Sequence, residues 1–161
     1  MPARKIAQSF DDLPTTEEML SVTGLEFIRS IVDGRRAGPP IGATLGFGLV
    51  AADEGRVVFE GTPEFAVANP LRTVHGGWYG AILDSCMACA VQTTLPKGAG
   101  YTTLEYKVNI IRSVPVGMTV QAIGIAQHSG RSTGVANGEL RGKEDGKLYA
   151  TGSTTCMILR P

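Results

Sequence analysis

Cysteine is scarce in this chain of 161 residues. Cys86, Cys89 and Cys156 form an odd set without framework spacing, which excludes the disulfide-stapled scaffold of a small secreted domain. Cys86 and Cys89 make a Cys-x-x-Cys, but no second cysteine pair or histidine cluster accompanies them. They read as small buried residues rather than zinc or redox ligands. Long hydrophobic runs are missing too. The longest, Trp78 to Val91, is interrupted by Gly80, Asp84 and Ser85 and falls short of a membrane span. The segment from Met1 to Phe10 lacks the apolar core of a secretory signal, so a cytoplasmic protein is expected. Neither sign of charge dominates, since 15 Lys and Arg offset 15 Asp and Glu. That balance gives no reason to expect nucleic acid or an anionic membrane as partner. A Gly-x-Ser-x-Gly elbow is absent, and Gly46-Phe47-Gly48 is no dinucleotide fingerprint. Neither a metal nor a cofactor is expected.

Glycine, by contrast, is abundant at 21 residues without a repeating period, which suits short strands and tight turns. The length supports one domain with a real core. Thr15 and Glu18 make a capping box, and Leu20, Phe27, Ile28 and Ile31 recur at helical spacing up to Gly34. This predicts one amphipathic helix that packs over the main domain. Two prolines between Arg35 and Pro40 mark a linker. Residues 1–40 are therefore read as a helical extension, and residues 41–161 as the main domain. Strands are predicted over Thr44 to Ala52 and Arg56 to Gly61, with Asp53-Glu54-Gly55 as the turn. A long helix follows from His75 to Leu95, stopped by Pro96. Four strand-like runs complete the chain: Tyr101 to Ile111, Met118 to His128, Arg131 to Arg141 and Leu148 to Leu159. They read as an antiparallel meander. The class is α+β, with a sheet of about six strands curled around one buried helix.

Asp84 carries the chemistry in this pattern. It is the only charged side chain between Gly76 and Pro96, on a helix that is apolar on most sides. An unpaired ion in a dry interior costs several kcal/mol, roughly, so such a group is either paired or used. Gly76 and Gly77 open the same helix. Their bare backbone lets a ligand approach the free N–H groups, where the helix dipole favours negative charge. A polarised carbonyl or oxyanion suits that position. The plainer readings are a carboxylate held by loop amides and a tight turn into a helix. For Trp78, Tyr79 and Met87, which could line an aromatic-sized pocket, ordinary core is the plainer reading.

The run Asn69-Pro70-Leu71-Arg72-Thr73-Val74-His75-Gly76-Gly77, followed by Asp84, resembles the hotdog thioesterases of the phenylacetate-pathway type. The six-residue interval from Asn69 to His75 and the nine-residue interval from His75 to Asp84 both match that family. The likeness runs from about Ile41 to Leu159. It implies a hotdog fold with the long helix at its centre, and hydrolysis of an acyl-CoA, aryl or medium-chain, to free acid and CoA. It implies a homodimer or tetramer with the active site between subunits. Gly76 of one chain would donate its N–H to the thioester oxygen, with Asn69 and His75 shaping the pocket and Gly77 beside them. Asp84 of the other chain would act as general base or as nucleophile. Thr103 would position the water, although the neighbouring Thr102 is an alternative. The Ser129-Gly130-Arg131 turn resembles a loop that meets the nucleotide of CoA, and Arg112 and Arg131 are candidates for its phosphates. Ala88 stands where a hydroxybenzoyl-CoA branch has threonine, which favours the aspartate-type branch. A hotdog hydratase and a non-catalytic acyl-CoA-binding protein are the alternative readings.

Overall fold

The computed structural model describes residues 5–160. The N-terminal extension holds α1 (Thr16–Leu20) and α2 (Gly24–Val32), and α3 (Pro40–Leu45) leads into the sheet. The strands β1 (Phe47–Asp53) and β2 (Arg56–Gly61) precede the long helix α4 (Gly76–Thr93). After it come β3 (Gly100–Ile110), β4 (Val120–Ser129), β5 (Thr133–Gly142) and β6 (Leu148–Leu159). All six strands form one antiparallel sheet in the order β1-β2-β4-β5-β6-β3. This is the hotdog arrangement. Among the described residues no helix is long and apolar enough to cross a membrane.

The meander expected for the last four strands is corrected: only β4, β5 and β6 form one, and β3 pairs with β6 at the far edge. The cause is α4. Its 18 residues span about 27 Å, enough to carry the chain across the concave face and deliver it to the opposite side. β2 then takes β4 as neighbour.

The extension also differs from the single helix expected. The Thr15–Glu18 capping box forms as read from the sequence, but a second box interrupts the helix. Thr23 Oγ1 accepts from the Glu26 N–H at 3.2 Å, and Glu26 Oε2 accepts from the Thr23 N–H at 2.9 Å. These bonds start α2 afresh. Gly24 sits at that restart because it lies against α4. Its N–H donates to the Leu95 carbonyl at 3.0 Å, and a Cβ there would overlap the Gln92 carbonyl. The helix α3 occupies what read as linker end and strand start. Pro40 suits its first turn, Gly46 ends it at φ 73°, and Trp78 Nε1 ties it to α4 by donating to the Leu45 carbonyl at 2.7 Å.

The sheet closes on α4 with almost no room. A Cβ on Gly124 would collide with the Cys86 carbonyl, so glycine is what lets β4 meet the helix backbone. Trp78, Tyr79, Ile82, Leu83, Met87 and Val91 are all buried there. Trp78, Tyr79 and Met87 are thus core. Tyr79 also accepts the Val114 N–H on its hydroxyl at 2.7 Å.

Candidate active site

One face of α4 is left for chemistry. Gly76, Gly80, Asp84 and Ala88 recur every four residues, so they form a single stripe. β3 lies over that stripe, and a bulge decides which of its side chains meet it. The pairing of β3 with β6 slips between Thr103 and Glu105, so Leu104 is the extra residue. Before the bulge the inward positions are Tyr101 and Thr103; after it they are Tyr106, Val108 and Ile110. A Cβ on Gly80 would stand 3.2 Å from the Tyr106 ring, and one on Gly76 would stand 3.6 Å from Ile110 Cδ1.

Thr103 lands on Asp84. Its Oγ1 donates to Asp84 Oδ1 at 3.1 Å. Thr102 points to the other side of the strand and is exposed. Asp84 is half-buried and forms no ion pair among the described residues. Burial pushes its carboxyl above the ordinary aspartate range, and the Thr103 hydrogen bond offsets part of that rise. The group is therefore a stronger base than a solvated aspartate. The thiols nearby are inert by comparison: burial pushes Cys86 well up and Cys89 up to about 12, so both stay protonated at neutral pH.

The opposite end of the stripe is the first turn of α4. His75 caps α4 by accepting the Gly77 N–H on Nδ1 at 2.9 Å, and its carbonyl accepts the Trp78 N–H at 3.0 Å. That leaves the exposed Gly76 N–H as the free donor of the first turn. Asn69 works inside the preceding loop. Its Oδ1 accepts the Leu71 and Thr73 N–H groups at 2.9 and 3.2 Å, and its Nδ2 donates to Thr73 Oγ1 at 2.9 Å. This holds Arg72 in a left-handed turn at φ 62°. Asn69 and His75 thus shape the entry to α4 and aim the Gly76 N–H outward.

The two arginines are not neighbours. Arg112 Nη1 donates to the Leu148 carbonyl at 2.7 Å, whereas Ser132, next to Arg131, accepts from the Ile158 N–H at 2.9 Å. These anchor points lie at opposite ends of β6, roughly 33 Å apart along the strand. Within one chain Arg112 therefore stands toward the Gly76 end, and the Ser129-Gly130-Arg131 turn toward the Thr103 end. Gly130 closes that turn, donating its N–H to the Thr133 carbonyl at 2.8 Å.

Beside Asp84 and Thr103 opens a cavity of about 460 Å³. Its walls include Phe27 and Ile31 of α2, Leu49, Phe59 and Ala88. The sequence reading missed this cavity because its walls are far apart along the chain. The spacing of Phe27 and Ile31, one helical turn, was the one visible signal.

Residues 71–149 match the model of the thioesterase superfamily. A crystal structure of a thioesterase candidate from Ralstonia eutropha, described as phenylacetic acid degradation-related, is 32% identical. It superposes with a TM-score of 0.72 over 81% of this chain and 98% of that one. The chain belongs to the thioesterase superfamily. The PaaI protein of the Escherichia coli phenylacetic acid degradation operon shares the fold, with a TM-score of 0.68 at 23% identity, over 74% of this chain and 83% of that one. An esterase candidate from Caenorhabditis elegans is 29% identical over 110 residues, 68% of this chain. This chain spans only 64% of the length of that curated relative. The superfamily match contains His75, Gly76, Asp84 and Thr103 and leaves out Asn69 and the whole N-terminal extension.

Proposed function

We propose that this protein is an acyl-CoA thioesterase whose active site is shared by two subunits paired through β3. One separation carries the reading. Gly76 and Asp84 are eight residues apart on one helix face, about 12 Å along the axis. An oxyanion donor must stand about 3 Å from the carbonyl oxygen, and the attacking oxygen about 3–3.5 Å from the carbonyl carbon. Both demands fit within about 8 Å, so the Gly76 N–H of a chain is out of reach of its own Asp84 chemistry. A two-fold pairing along an edge strand brings the partner subunit's Gly76 to the missing place. β3 suits that role: it is an edge of eleven residues that exposes Leu104, Tyr106 and Ile110.

The chemistry then needs few parts. The partner subunit's Gly76 donates to the thioester oxygen and stabilises the charge that develops there. In the general-base route Asp84 takes a proton from water through Oδ2, the oxygen that Thr103 leaves free. The water oxygen bonds to the carbonyl carbon, the carbon–sulfur bond breaks, and the Asp84 proton passes to the departing thiolate. The products are the free acid and CoA. In the nucleophilic route Oδ2 itself attacks the carbonyl carbon, and the carbon–sulfur bond breaks to release the CoA thiolate. Water then cleaves the mixed anhydride to the free acid and the Asp84 carboxylate, its spare proton ending on the thiolate. The shared site also puts the partner subunit's Arg112 beside its own Gly76, with Arg131 of the first chain on the opposite flank. Arg112 and Arg131 are the candidates for CoA phosphates in this reading.

The test is release of CoA from a panel of acyl-CoAs, followed with a thiol reagent. Thiol release that disappears in Asp84→Asn supports the hydrolase; binding of acyl-CoA with no thiol release rejects it.

A further inference from the structure

The cavity beside Asp84 is lined in part by α2, a segment outside the superfamily match. We infer that the N-terminal extension builds the acyl pocket, and that the pocket takes a linear hydrocarbon chain of medium length with its thioester at Asp84 and Thr103. The inference rests on the hydrolase reading above and adds the substrate class and the element that selects it.

Three observations support it. The cavity has a polar end at Asp84 and Thr103 and mostly apolar walls, with Lys5 and Gln92 also on its lining. Asp84 and Thr103 line it together with Phe27 and Ile31 from α2 and Leu49 and Phe59 from the sheet. A thioester left at the carboxylate therefore sends its tail between α2 and the sheet, where apolar surface leaves water. The shape is the second observation. Asp84, Ala88 and Gln92 all line the cavity, so it follows α4 for two turns, about 12 Å. With C–C bonds of about 1.5 Å, an extended chain advances about 1.25 Å per carbon, so roughly nine or ten carbons reach the end. A single aromatic ring would leave most of that length empty. The volume, about 460 Å³, lies in the range of roughly 300–1,000 Å³ that encloses small ligands. The third observation is that the wall is fixed. Gly24 N–H to the Leu95 carbonyl at 3.0 Å and Gly98 N–H to the Leu20 carbonyl at 2.9 Å bolt the extension to the loop that follows α4.

The experiment fills the cavity from the extension side. Ile31 and Met19 both line it and are only partly buried. Ile31→Trp and Met19→Trp, each checked for an intact melting transition, are compared with the unaltered chain on butanoyl-, octanoyl-, dodecanoyl- and phenylacetyl-CoA. For the unaltered chain, octanoyl- or dodecanoyl-CoA should have the highest kcat/KM. In the variants the ratio of dodecanoyl to butanoyl kcat/KM should fall about tenfold or more, the loss of burying about two methylenes. A ratio unchanged within about twofold in both folded variants overturns the inference while leaving the hydrolase intact, as does a preference for phenylacetyl-CoA. If no thioester is cleaved at all, the hydrolase reading fails separately. Dodecanoyl-CoA must then still raise the melting temperature, and Ile31→Trp must abolish that rise, or the pocket falls as well.

Discussion

Thr103 Oγ1 and Asp84 Oδ1 meet at 3.1 Å across the seam between β3 and α4, and a bulge one residue later turns the rest of the strand over. The pair sets the working pH. Burial raises the carboxyl above its ordinary value and the hydroxyl lowers it again, so Asp84 ionises above the range of a solvated aspartate. The acid limb of kcat/KM should therefore lie above pH 3.8, the ordinary aspartate value. Thr103→Val removes the lowering contact and should move that limb to higher pH, with a fall in kcat. Thr103→Ser keeps the hydroxyl and should keep the limb in place. A pH–rate profile of the three proteins checks this.

Asp84→Asn should lower kcat by about a hundredfold or more, as expected for loss of a general base. Its stability should be equal or higher at neutral pH. The sign follows from linkage: a carboxyl whose folded pKa is raised binds more protons folded than unfolded, so it destabilises the fold as pH rises through that window. The neutral amide escapes that cost. Melting curves at pH 4 and pH 7 should show the advantage of the variant growing with pH.

Gly24→Val should separate α2 from α4. The added side chain would overlap the Gln92 carbonyl, and overpacking of this kind costs about 1–3 kcal/mol. Chemical denaturation should show that loss, and the preference among acyl chain lengths should flatten, since Phe27 and Ile31 ride on α2.

Leu104→Asp places a charge on the exposed edge of β3, where the leucine is 57% exposed. In a lone chain this is harmless. In a β3-paired dimer it buries an unpaired charge, so sedimentation should show a shift to monomer and activity should become dependent on protein concentration. A dimer that persists with full activity would move the subunit interface elsewhere.

Much of the site was legible because it is local in sequence. The charged residue within an apolar helix, the two glycines at its start and the Thr15–Glu18 box are all read within one or two turns. Pairing across the sheet was not. The sequence presents β3 to β6 as four successive strands, and only the span of α4 sends β3 to the far edge. The bulge at Leu104 carries no turn residue to announce it, so Thr102 stands as an alternative to Thr103 in the sequence, and the hydrogen bond from Thr103 to Asp84 decides between them. Thr23 and Glu26 had the spacing of a capping box, but the apolar residues at helical spacing ran through them and concealed the break. The cavity was hidden most deeply, since residues between Lys5 and Thr103 come together to line it.

The central claim is that each site takes Asp84 from one chain and the Gly76 N–H from another. Gly76→Pro removes that N–H at a helix position where proline is well accommodated, after His75 at ψ 139°. Alone, Gly76→Pro and Asp84→Asn should each be nearly inactive. Co-refolded in equal amounts, they should regain about a quarter of the unaltered activity, because mixed dimers contain one site with both groups intact. Activity that stays at the level of the separate variants, in samples shown to contain mixed dimers, would contradict a site shared between subunits.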